Sequence, residues 1–180
     1  MNNKKRKISP AKSAALIGIM AATVECVKLA LASIPNVEGV SFLIALYSFV
    51  FGWHGVVASF IFVCIEPLVW GFGSWVITYF IYWPALATVF MLLGRRGIKN
   101  RYILSGISIL MTFIFGVLSS LVDIGLFSGY FDRFFYRFGI YYARGVFFYI
   151  TQIICNAVLF LFVFGYFERL LSGLKKKMNM

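Results

Sequence analysis

Apolar residues fill this chain in long blocks, and the breaks between the blocks mark out its elements. The first block, Ser13 to Ile34, stops at Pro35-Asn36. A longer stretch, Gly39 to Phe72, is interrupted by Gly52-Trp53-His54-Gly55, and Trp75 to Leu93, Tyr102 to Val122 and Ala143 to about Phe167 follow. A hydrocarbon layer about 30 Å thick takes about 20 helical residues, so the blocks are predicted to be transmembrane helices. Lys4 to Lys7 before an apolar run, with Ala30-Leu31-Ala32 at its end, imitate a secretory signal. Glu25 and Lys28 inside that run argue instead for a retained helix.

Whether Gly39–Phe72 crosses once or twice is decided by the positive charges, which collect on the cytoplasmic side. Two crossings give six helices. One side then holds Lys4, Lys5, Arg6, Lys7 and Lys12, Arg95, Arg96, Lys99 and Arg101, and Arg169, Lys175, Lys176 and Lys177, while the other holds only Arg133, Arg137 and Arg144. A single crossing would split the basic residues evenly. The expected fold is therefore an all-α, six-transmembrane-helix bundle with both termini cytoplasmic, in the cell membrane. Its parts are a basic tail over residues 1–12, a membrane domain over 13–169 and a basic tail over 170–180. Gly52-Trp53-His54-Gly55 becomes a cytoplasmic turn, with His54 as a turn residue.

Composition agrees. The chain of 180 residues is 62% hydrophobic and 13% charged, against about a quarter charged in a soluble domain. The net charge of +11 raises nucleic acid as a partner, but each basic cluster flanks an apolar block, as orienting charges and lipid-headgroup contacts do. No nucleic-acid partner is expected. Cys26, Cys64 and Cys155 lie apart in apolar runs and read as buried small hydrophobes; no metal site is expected.

The remaining polar residues carry the functional signal, because ionisable groups inside membrane helices are costly. Glu25, Lys28 and Glu66 are intramembrane, Asp123 ends the fifth helix, and Glu38 lies just outside the second. All but Glu168 among the acids fall in the middle or towards the outer side. Glu25 and Lys28, three apart, can neutralise each other on one helix; Glu66 has no local partner. Trp70, Trp75, Tyr79, Tyr82 and Trp83 flank the outer turn between the third and fourth helices. An outer loop from Gly129 to Arg144 interleaves Arg133, Arg137 and Arg144 with aromatics. An interfacial belt explains Trp and Tyr, but the arginines point further, to a site for a planar or anionic small molecule. Gln152 and Asn156, four apart on the last helix, add amide contacts. Glu66, Trp70, Trp75, Tyr79, Arg133, Arg137, Arg144, Gln152 and Asn156 are thus the candidate substrate-binding residues. Ala14, Gly18 and Ala22 form a small-residue stripe on the first helix, with Ala11 and Ala15 beside it, of the kind that lets another helix approach closely.

Motifs for self-sufficient chemistry are missing. There is no GxxxxGK[ST], HExxH or GxSxG, and no pair of similar halves with interrupted helices as in many secondary transporters. No catalytic residue and no cofactor is expected. A pocket without an engine points to a subunit.

The layout resembles the substrate-binding S-components of energy-coupling factor (ECF) vitamin transporters. The resemblance is carried by "AALIGIMAA" on the first helix, "ASIPNVEGVSFLIALYSFVFG" across the first outer loop and short second helix, "WGFGSWVITYFIYWPALA" at the aromatic outer turn, and the basic C-terminal tail. It implies a subunit of an ABC transporter complex that binds a vitamin-like molecule at its outer face. Its partners would be a transmembrane T-component, docking on Ala14, Gly18 and Ala22 or on the Ala11/Ala15 register, and two ATPase subunits. "GFGSWVI" looks somewhat like the branch linked to cobalamin. Two other classes remain open: a structural scaffold of cell-envelope machinery, and a membrane enzyme using Glu66 or Asp123.

Overall fold

The computed structural model describes residues 8–34, 37 and 39–178. The basic run Lys4–Lys7, the Pro35-Asn36 break and Glu38 lie outside the described residues. Seven helical elements follow one another: α1 Pro10–Leu31, α2 Val40–Phe51, α3 Trp53–Trp70, α4 Trp75–Arg95, α5 Arg101–Phe127, α6 Phe134–Val158 and α7 Phe164–Lys177, the last two joined by a π-helical turn, Leu159–Val163. Among the described residues the structure is all-helical. Five helices are long and apolar enough to cross a membrane, with Phe134–Lys177 forming one continuous rod of 44 residues. The protein is membrane-embedded.

Local chemistry explains where the helices start. Ser9 caps α1, its side chain accepting from the Lys12 amide at 3.4 Å, and Pro10 occupies the first turn, where a missing N–H costs nothing. The helix therefore begins three residues before the expected Ser13. Asn100 caps α5 in the same way through the Tyr102 amide at 2.9 Å. Between α2 and α3 the chain turns on Gly52, whose φ of 63° suits glycine; Trp53 and His54 already belong to α3. The largest difference from expectation lies at Gly129–Arg144. Only its first residues are loop, and Phe134 onward is helix. At the other end, the expected tail is helical to Lys177.

The 12-residue α2 is about 18 Å long, too short for the whole hydrocarbon layer by itself. It is apolar on every side, as a helix enclosed by protein should be. Nearly all of it is buried, and it packs against α1, α3, α4 and α7. Glycine permits the tightest of these approaches: a Cβ on Gly94 of α4 would collide with the Phe49 carbonyl oxygen, and one on Gly55 with the backbone at Ser48. Around α2, Phe42, Phe49, Phe90, Phe160 and Phe164 pack edge-on and stacked, with centroid separations of 5.1–6.3 Å.

Polar contacts gather the α2–α3 turn, the α4–α5 connection and the C-terminus at one end. Ser13 Oγ and His54 Nε2 are 3.0 Å apart. Lys99 of the α4–α5 connection pairs with Glu168 at 2.8 Å, and Lys175 Nζ donates to the Val50 carbonyl at 2.6 Å. The opposite end carries the α1–α2, α3–α4 and α5–α6 connections. Cys26 and Cys64 are exposed on outward helix faces, not in the interior as expected, and Cys155 is half-buried.

Candidate ligand-binding site

The site lies towards the end with the α1–α2 and α3–α4 connections, where α1 and α3 run side by side. Lys28, in the last turn of α1, reaches across to Glu66 of α3 and donates to its Oε2. Glu66 is fully buried, whereas the Lys28 side chain is 24% exposed. The lysine thus neutralises a carboxylate 38 positions away, and not its helical neighbour Glu25. Glu25 is buried beside the pair, near enough for its carboxyl group to interact electrostatically with that of Glu66. Among the described residues, no donor reaches Glu25 Oε1, Glu25 Oε2 or Glu66 Oε1. Pro67, immediately after Glu66, has no N–H to give to the preceding turn, so α3 loses one backbone bond beside the ion pair.

Aromatic rings enclose the ammonium group. Lys28 Nζ lies 5.2 Å from the Trp70 ring centroid, 5.4 Å from Tyr79 and 5.9 Å from Phe62. These are cation–π distances, and such contacts strengthen when water is excluded. Tyr79 is one ring in a chain of edge contacts running from Trp75 at 5.0 Å through Trp83 at 5.5 Å, and Tyr82 packs on Phe115 at 4.9 Å. The chain exists because Trp75, Tyr79, Tyr82 and Trp83 recur at three- and four-residue spacing, and so share one face of α4.

Two cavities flank the lysine. The larger, about 280 Å³, is walled by Phe62, Trp70, Tyr79, Tyr82, Trp83, Phe115 and Phe148, with Leu31, Ala32, Ile34, Val37 and Val40 at the α1–α2 connection. Its polar edge is Lys28 and Gln152. Trp83 contributes a buried indole N–H without an acceptor among the described residues. The smaller, about 230 Å³, is formed by Lys28, Glu66, Trp70, Trp75 and Tyr79. Apolar walls with a few convergent polar groups are the usual anatomy of a small-molecule site.

Of the residues singled out from sequence, Glu66, Trp70, Trp75, Tyr79 and Gln152 line these cavities. The arginines do not. Arg137 donates to the Ser128 carbonyl oxygen and faces Asp132 at 4.0 Å, which ties down the α5–α6 connection. Arg133 is exposed in a left-handed backbone conformation at the start of α6, and Arg144 lies over Tyr141 at 5.5 Å. Helix formation from Phe134 strings these side chains out along the rod, Arg144 standing about 10 Å beyond Arg137, instead of gathering them in a loop. Asn156 is also elsewhere: fully buried, it donates to Thr112 Oγ1 of α5 at 3.0 Å, and binds helix to helix. Lys28, Phe62, Tyr82, Trp83, Phe115 and Phe148 were not among the sequence candidates. Three of them carry a visible signal in the sequence, Lys28 as a lone intramembrane cation and Tyr82 and Trp83 as rings of the aromatic outer turn.

Ala14, Gly18 and Ala22 are exposed on α1, as are Ala11 and Ala15. A Cβ on Gly18 would meet nothing within 4 Å. No group of three His, Cys, Asp or Glu side chains suited to a metal ion occurs among the described residues. Comparison with family models, curated proteins and solved structures gave no match to this chain.

Proposed function

We propose that this protein is the substrate-binding S-component of an ECF-type importer, a multi-pass plasma-membrane subunit with six crossings and both termini in the cytoplasm. It takes a compact vitamin-like molecule from outside and passes it inward with a T-component and two ATPase subunits. The observation carrying this reading is the ring-walled cavity beside Lys28 and Glu66, at the end of the bundle away from nearly all the basic residues. The charge distribution supports placing that end outside. A space of about 280 Å³ is at the small end of ligand pockets and favours a molecule far smaller than cobalamin. A scaffold protein would have no use for such a cavity around a buried ion pair, where packed rings would be more stable.

The exposed Ala14, Gly18 and Ala22 give α1 a smooth outer face on which a T-component helix can lie closely. Native mass spectrometry of protein produced in rich medium tests the central claim: a bound small organic molecule is expected. Empty protein, together with no stabilisation by a vitamin panel in thermal-shift assays, would overturn it. Gly18→Leu is expected to leave ligand binding intact while reducing co-purification with the T-component; unchanged co-purification would remove the docking assignment. A reporter fused after Lys177 should read cytoplasmic.

A further inference from the structure

We infer that the ligand of these two adjoining cavities is a small aromatic cation, its positive charge held by Glu66 in the smaller with Glu25 behind it, and its ring laid against Trp70 and Tyr79, which line both. The inference rests on the reading of the cavity as the ligand site. The buried cluster contains two carboxyl groups, Glu25 and Glu66, and one ammonium group, Lys28. Ionised carboxylates only accept hydrogen bonds, so two of them buried side by side require a proton or a positive charge between or beside them. Lys28 satisfies one oxygen, Glu66 Oε2. Three buried carboxylate oxygens are left without a donor among the described residues, and one of them, on Glu66, belongs to a residue lining the smaller cavity. With both acids ionised the cluster carries one net negative charge, which is costly where water is excluded. A monocation from solution cancels that charge, whereas an anion would add to it.

The walls fit the same class. Three rings already accept an ammonium group at 5.2–5.9 Å, so their faces are turned towards positive charge. An anionic ligand would have to rely on Lys28, which Glu66 already engages, because Arg133, Arg137 and Arg144 line neither cavity.

The test uses the full chain in detergent micelles and three probes of similar shape: 2-phenylethylammonium, propylbenzene and 3-phenylpropanoate. Binding is followed by quenching of tryptophan fluorescence and by thermal shift. The ammonium probe is expected to bind about tenfold or more tighter than either of the others. Glu25→Gln and Glu66→Gln are each expected to remove most of that preference. Equal or tighter binding of the neutral or anionic probe, no binding of any probe, or a preference unchanged in both variants would overturn the inference. The two claims fail separately. A retained native ligand that is an anion removes the charge assignment and leaves the importer reading standing. A protein that prefers the cation but associates with no T-component does the reverse.

Discussion

Phe42, Phe90, Phe160 and Phe164 meet between α2, α4 and the π-helical turn and are all buried. Phe62, Tyr79, Tyr82, Trp83 and Phe115, the same kind of rings a few turns away, stand around an open space. The first group has no polar atoms, so nothing prevents its rings from filling the gaps among themselves by edge-on and stacked contact. The second stands beside the Lys28–Glu66 pair. A buried ion pair fixes where its walls can go, and Trp70, Tyr79 and Phe62 hold their faces 5.2–5.9 Å from its ammonium group. In lipid, where apolar surface gains little by hiding from neighbours that are equally apolar, close packing is what holds helices together. The phenylalanine cluster supplies that packing, and the ring-walled cavity gives some of it up.

Substitutions in the two regions sharpen the contrast. Phe160→Ala should cost about 3–5 kcal/mol, since it opens a void in a filled cluster. Trp70→Ala, at the exposed rim of the cavity, should cost less than about 1 kcal/mol while weakening ligand binding. Thermal unfolding in micelles measures both, and similar losses would erase the distinction. Lys28→Met should cost nearly as much as Phe160→Ala, about 3–5 kcal/mol, because it leaves buried carboxylates without their cation. Adding Glu66→Gln and Glu25→Gln to Lys28→Met should restore most of the loss; an unrecovered loss would mean that Lys28 acts by packing. The smallest contrast is between two glycines. Gly94→Ala should cost about 1–3 kcal/mol by forcing α4 away from the Phe49 carbonyl. Gly18→Leu, on an open face, should stay within about 0.5 kcal/mol. A costly Gly18→Leu would show that α1 is packed where it now looks free.

The helices themselves were legible because apolar blocks and Gly or Pro breaks are local signals. So was Glu66, which stood out as an acid in an apolar run. Its partner was not, because Lys28 lies 38 residues earlier and periodicity within one helix can only propose neighbours such as Glu25. The segment from Phe134 reads as loop in the sequence, since its arginines and interfacial aromatics break the apolar block that marks a membrane helix, yet it is helical. Phe134, Phe138 and Tyr142 nevertheless recur every four residues and stack at 6.0 and 5.9 Å, and that spacing was the available sign of a helix. Asn156 illustrates the opposite limit. Four residues from Gln152, it shares a helix face with it, yet only packing against Thr112 of α5 separates an interhelical strut from a cavity residue.

The rod Phe134–Lys177, about 66 Å from end to end, is more than twice the thickness of the oily layer it crosses. Its surplus length leaves both ends standing in the aqueous and headgroup zones, with Arg133 and Arg137 near one tip and Lys175, Lys176 and Lys177 at the other. Between Arg144 and Glu168 the rod carries no charge for about 36 Å, close to the layer's thickness, so sliding the molecule along the membrane normal in either direction would drag one of these inner charges towards hydrocarbon. The rod is therefore a depth gauge: it fixes the height at which the cavity sits in the bilayer, and any change in that height has to come from tilting.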